Sequence, residues 1–124
     1  MIKRLFLFCL CFATSHFTLA ADIPEITAQQ LLEKQSFRVI LDVRSPEEYA
    51  EGHVPGAINI PHAEIANRLD QLSEFKHQQV VVYCRSGRRA GIAAEILQNQ
   101  GFDNLLHLEG DILQWQANKL PIEK

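Results

Sequence analysis

Val80-Val81-Val82-Tyr83-Cys84-Arg85-Ser86-Gly87-Arg88-Arg89-Ala90-Gly91-Ile92-Ala93-Ala94-Glu95-Ile96-Leu97 decides the fold. A short apolar run, a charged loop with one glycine, and apolar residues at helical spacing read as strand, tight loop and helix. Such a junction aims backbone N–H groups at one point, and the helix start adds partial positive charge there. Arg85, Arg88 and Arg89 add full charges. A thiol at that point is favoured as thiolate, the nucleophilic form. The stretch points to a cysteine enzyme acting on an anionic substrate.

The same alternation continues on both sides. Thr27-Ala28-Gln29-Gln30 reads as a capping box, with Leu31 and Leu32 on the apolar face of a short helix. Residues 37–43 read as a buried strand through Val39-Ile40-Leu41. Ser45-Pro46-Glu47-Glu48 is a helix start with Ser at the cap, Pro in the first turn and Glu three residues on; Gly52 ends that helix. A short strand over 57–60 leaves the Pro55-Gly56 turn, and Ile65, Leu69 and Leu72 give 62–72 helical spacing. The helix after Cys84 runs from Arg88 to Gln100 and closes at Gly101. A last strand covers 105–108, and a last helix covers 112–118 with Trp115 as a core plug. Short continuous apolar strands alternating with helices predict an α/β domain with a mostly parallel sheet. Ligands in such sheets sit beyond the carboxyl ends of the strands, which is where Cys84 falls.

The amino terminus is a separate matter. Lys3 and Arg4, the apolar block from Leu5 to Phe12, and the site Thr18-Leu19-Ala20 follow the plan of a secretory signal peptide cleaved after Ala20. As a membrane anchor the stretch is short, and Thr14, Ser15 and His16 interrupt its far end. The expected organisation is a signal peptide over 1–20 and one domain over 21–124, with no stable membrane insertion after cleavage. Loss of Lys3 and Arg4 takes the formal charge from −3 to −5. An acidic domain is a poor general binder of nucleic acid. Cys9 and Cys11 leave with the signal, so Cys84 remains alone in a compartment where thiols are normally paired. An inert buried cysteine is the bland alternative, and the charged loop argues against it.

Three motifs together resemble the rhodanese family, the thiosulfate sulfurtransferases. They are Leu41-Asp42-Val43-Arg44 with Glu47-Glu48-Tyr49 and residues 52–61, Tyr83 to Ala90, and Leu108-Glu109-Gly110-Asp111-Ile112-Leu113-Gln114-Trp115. Asp111 and Ala90 depart from the family, where glycine and serine are commoner. The resemblance implies a rhodanese-like fold, a five-stranded parallel sheet with helices on both faces. It implies that Cys84 takes the sulfane sulfur of thiosulfate or a similar donor as a persulfide and passes it to cyanide or a thiol. It places Arg85, Ser86, Gly87, Arg88 and Arg89 in the substrate cradle, and Asp42 and Arg44 in supporting roles behind it. An ion pair with Glu48 that orders the 45–52 turn is the other reading of Asp42 and Arg44. No cofactor is implied, and His62, His77 and His107 share no metal-ligand spacing with Cys84, so no metal is expected. His53 reads as a turn histidine bonded to backbone, and no histidine need sit beside the nucleophile. The implied partners are a small anionic donor and a thiophilic acceptor, with a protein acceptor as a further option. The expected location is the bacterial periplasm.

Two other activities fit parts of the pattern. A persulfide carrier would hand sulfur to a protein and turn over small molecules poorly. Phosphatase or arsenate reductase chemistry is disfavoured because four residues separate Cys84 from Arg89, whereas the related phosphatases use five. Wrapping a tetrahedral phosphate needs the wider ring.

Overall fold

The computed structural model describes residues 22–33 and 38–124. The expected signal peptide lies outside the described residues. Five parallel strands form one sheet: β1 (Glu25–Ile26), β2 (Arg38–Asp42), β3 (Ile58–Asn59), β4 (Gln79–Tyr83) and β5 (Leu105–Leu108), in the order β1-β5-β4-β2-β3. Helices α1 (Ala28–Glu33), α2 (Pro46–Glu51), α3 (Arg88–Asn99) and α4 (Asp111–Ala117) connect or follow them. β4 is central, and its carboxyl end delivers Cys84.

Each strand feeds two cores, because alternate side chains point to opposite faces. Leu41, Val80 and Val82 pack with Ile65, Leu72, Ala93 and Leu97 on one face. Ile40, Val81 and Tyr83 pack with Leu31, Ile112 and Trp115 on the other. This double burial is why the strands read as continuous apolar runs. Trp115 is buried in the second core, and its indole N–H donates to Pro121 O at 2.8 Å.

The local signals in the sequence hold. Thr27 Oγ1 accepts from Gln30 N at 3.1 Å, and Gln30 Oε1 accepts from Thr27 N at 3.0 Å, which closes the first capping box. Ser45 and Glu48 close the second in the same way. One expectation changes, and one strand that the pattern did not reveal completes the sheet. Residues 62–75 form three short 3-10 helices (His62–Asn67, Leu69–Gln71, Ser73–Phe75) rather than one α-helix. The chain breaks at Arg68 (φ −125°) and Leu72 (φ −112°), which lets Ile65 and Leu72 both reach the core completely. Packing has overridden helical periodicity there. The fifth strand is β1, two residues held by His107 N–H to Pro24 O and Glu109 N–H to Ile26 O, both 2.9 Å.

Candidate active site

The loop after β4 curls around the sulfur of Cys84. Gly87 sits at φ 117°, a left-handed conformation open to glycine, and its N–H lies 3.0 Å from Cys84 Sγ. Helix α3 starts at the next residue, so its amino-terminal end faces the same point. Cys84 is buried, at 1% exposure. Its backbone is held from the other side by the first turn of α4. Ile112 N–H donates to Cys84 O at 3.1 Å, and Leu113 N–H donates to Arg85 O at 3.4 Å.

The three arginines separate by environment. Arg85 and Arg88 are exposed, as is Ser86. Arg89 is half-buried and bound to Glu48, with Nη1–Oε1 at 2.6 Å and Nη2–Oε2 at 3.0 Å. The Arg89 hydrogen bond is the main reason that the Glu48 carboxyl is held down at about 2, with the Ser45 bonds assisting against partial burial. Glu48 in turn keeps the Arg89 guanidinium above its ordinary value. Among the expected residues, the structure therefore leaves two cations at the rim and uses the third to tie α3 to α2.

Asp42 and Arg44 form a buried cluster below this rim. Arg44 Nη2 meets Asp42 Oδ2 at 2.7 Å and Gly52 O at 2.7 Å. Tyr83 donates its hydroxyl proton to Asp42 Oδ2 at 2.7 Å and accepts Val54 N–H at 3.0 Å. Burial, with Asp42 beside it, pushes the Tyr83 hydroxyl far above its ordinary value. Neither Asp42 nor Arg44 pairs with Glu48, whose partner is Arg89. This corrects the ion pair considered for the 45–52 turn. The cause is geometric: Asp42 lies on the strand two residues before Arg44, so the guanidinium folds back onto it. His53 bonds to the backbone as expected, donating Nδ1–H to Tyr49 O at 2.8 Å, and it stacks on Tyr49 at 3.6 Å.

Two site residues escaped the sequence reading. Asp111 is buried, and its Oδ1 accepts Cys84 N–H at 2.9 Å. His107 Nε2 lies 3.0 Å from both Asp111 carboxylate oxygens. A histidine does therefore stand next to the loop, behind Gly87. The available signal was the departure from glycine at Asp111, together with its spacing of four from His107. Among the described residues, no group of three metal-ligating side chains converges.

This arrangement has relatives. The chain is 36% identical over 98 residues to a sulfurtransferase of Allochromatium vinosum, across 79% of this chain and 89% of that protein. It is 43% identical over 70 residues to the thiosulfate sulfurtransferase PspE of Escherichia coli, across 56% of this chain and 67% of that protein. Other curated relatives are longer. The chain spans about half the length (52%) of the putative sulfur carrier protein YrkF of Bacillus subtilis, at 34% identity over 99 residues and 77% of this chain. Among solved structures, a rhodanese-related protein from Thermoplasma volcanium superposes with a TM-score of 0.72 at 31% identity, covering 81% of this chain and 97% of that one. The family model for the rhodanese-like domain matches residues 26–118, and with the sheet order and the Cys84 loop it establishes that the chain belongs to the rhodanese-like domain family.

Proposed function

We propose that the protein is a sulfurtransferase that carries sulfane sulfur on Cys84, with thiosulfate or a close analogue as donor. The observation that carries the reading is the Gly87 N–H at 3.0 Å from Cys84 Sγ, at the start of a helix and beneath two exposed arginines. Relatives named for sulfur transfer support the general activity, and PspE supports thiosulfate in particular.

In the proposed chemistry the Cys84 thiolate attacks the outer sulfur of the donor. A sulfur–sulfur bond forms at Sγ as the donor's own sulfur–sulfur bond breaks, and sulfite leaves with the electron pair. Arg85 and Arg88 attract the dianion and offset the charge on the departing sulfite. Gly87 N–H, with the helix start, stabilises the anionic outer sulfur of the persulfide as it would an oxyanion. Cyanide or a thiolate then takes that sulfur, and the Cys84 thiolate returns. The cycle is covalent catalysis in two steps, with ping-pong kinetics. A protein acceptor fits the same chemistry, and the likeness to a putative sulfur carrier favours testing one. We place the activity in the periplasm on the pattern of residues 1–20.

Intact mass spectrometry before and after thiosulfate tests the reading. The expected result is a gain of one sulfur atom, reversed by cyanide and absent in Cys84→Ser. An unchanged mass, with hydrolysis of an aryl phosphate instead, would move the protein to phosphatase chemistry.

A further inference from the structure

We infer that Asp111 and His107 form a positioning pair for Cys84, and that the charge on His107 governs the reactivity of its sulfur. The inference rests on Cys84 being the nucleophile, as proposed above.

The pair is built across the corner between β5 and α4. A carboxylate only accepts hydrogen bonds, so the proton between them sits on His107 Nε2, 3.0 Å from each Asp111 oxygen. Oδ1 also takes the N–H of Cys84 at 2.9 Å. That N–H is thereby committed to Asp111, while the N–H of Gly87 serves the sulfur. Gly87 also touches the pair from its other side. A Cβ there would stand 3.4 Å from Asp111 Oδ2 and 3.7 Å from His107 Cε1. Those are ordinary contacts; it is the φ of 117° that calls for glycine at the residue between the pair and the sulfur.

Asp111 has a φ of 54°, the left-handed region that glycine enters freely and aspartate enters more readily than most side chains. Glycine would relieve the backbone but lose both side-chain bonds.

The charge argument follows from burial. The Asp111 side chain is 2% exposed, so its negative charge beside Cys84 is poorly screened and opposes a thiolate or persulfide anion. The imidazolium form of His107 offsets it. The Asp111 hydrogen bond holds His107 above its ordinary value, partial burial opposes this, and Glu25 adds to the rise. Besides Asp111, the charged groups lining the cleft at His107 are both acidic. Glu25 on β1 places Oε1 3.6 Å from Nδ1, and Asp22 before it lines the same cleft of about 190 Å³. α3 presents only uncharged Ala90, Gly91 and Ala94 there, and Val82 of β4 lies alongside in register. When His107 loses its proton, Asp111 is left uncompensated next to the nucleophile.

The test is alkylation of Cys84 by neutral iodoacetamide from about pH 5 to about pH 9, with His107 followed by imidazole NMR. On the acid side of the His107 titration, His107→Gln is expected to slow alkylation on the order of tenfold, and the gap closes above it. Adding Asp111→Asn removes the carboxylate but keeps an oxygen for Cys84 N–H, so the double variant recovers most of the rate. In Asp111→Asn alone, the His107 titration is expected to move down from its wild-type position. Thermal unfolding checks each variant. Should a variant fail to fold, the wild-type alkylation profile still decides, because an inflection must coincide with the His107 titration. Equal rates in His107→Gln and wild type, a double variant no faster than His107→Gln, or a missing inflection would each overturn the inference. Alkylation needs no sulfur donor. Failure to take sulfur from thiosulfate, with the His107 dependence intact, would sink the proposed function and leave the pair standing.

Discussion

Arg89 grips Glu48 with two parallel hydrogen bonds, and the same carboxylate caps the start of α2. The nucleophile loop is thereby moored to the helix that follows the neighbouring strand. The Glu48 carboxyl, held at about 2 against an ordinary 4.5, links this mooring to acid stability. A lowered carboxyl contributes stability that is complete above its unfolded value and is lost as pH falls through the folded one.

Glu48→Gln should therefore flatten the loss of stability between pH 4.5 and about 2. At neutral pH it should cost about 1 kcal/mol, because both partners are partly solvated. Urea midpoints across that range check this. Wild-type and variant curves that stay parallel would detach Glu48 from acid unfolding.

Asp42→Ala should be far more damaging. It strips Arg44, 4% exposed, of its buried carboxylate and leaves the Tyr83 hydroxyl without its acceptor. Breaking a buried pair on one side costs about 3–5 kcal/mol. Urea unfolding measures it, and a loss below about 1 kcal/mol would mean that water reaches the Arg44 site.

Cys84→Ser should keep the fold and lose sulfur transfer altogether. The hydroxyl is nearly isosteric but forms no persulfide. Circular dichroism and a thiosulfate–cyanide assay, run together, decide it. Residual turnover in the folded variant would remove Cys84 from the mechanism.

Replacing Arg85 and Arg88 together by Ala should raise KM for thiosulfate by about tenfold or more, with a smaller effect on folding. Charge-assisted contacts are worth about 1.5–3 kcal/mol, and both side chains are exposed. Added salt should reproduce part of the loss in the wild type. A salt-independent KM that is equal in both proteins would class these arginines as solvated surface.

Protein recovered from the cell envelope should begin at Ala21, as the pattern of residues 1–20 implies. Amino-terminal sequencing reads this directly. A chain retained in the membrane with Met1 intact would replace export by anchoring.

The parts legible in the sequence were those set by neighbours along the chain. The capping boxes at Thr27 and Ser45 and the strand–loop–helix around Cys84 need only short-range pattern. What escaped depends on partners far apart or on too few residues. β1 has two residues and no periodicity to detect. Glu48 and Arg89 are 41 positions apart, so nothing local favoured Arg89 over the nearer Arg44. Asp111 was visible only as a departure from glycine; its bond to Cys84 N–H spans 27 positions and appears only once α4 is docked.

The burial of Cys84 makes loading and unloading unequal events. At 1% exposure the bare thiol presents almost no surface, which favours a slender reagent over a folded protein. An added sulfur sits ~2 Å beyond Sγ. The loaded enzyme thus offers a longer reach than the empty one. Bulky oxidants are kept from the resting thiol by the same wall that a transferred sulfur partly outgrows. Under the proposed export to a compartment that drives thiols into disulfides, this ratchet would keep Cys84 in service.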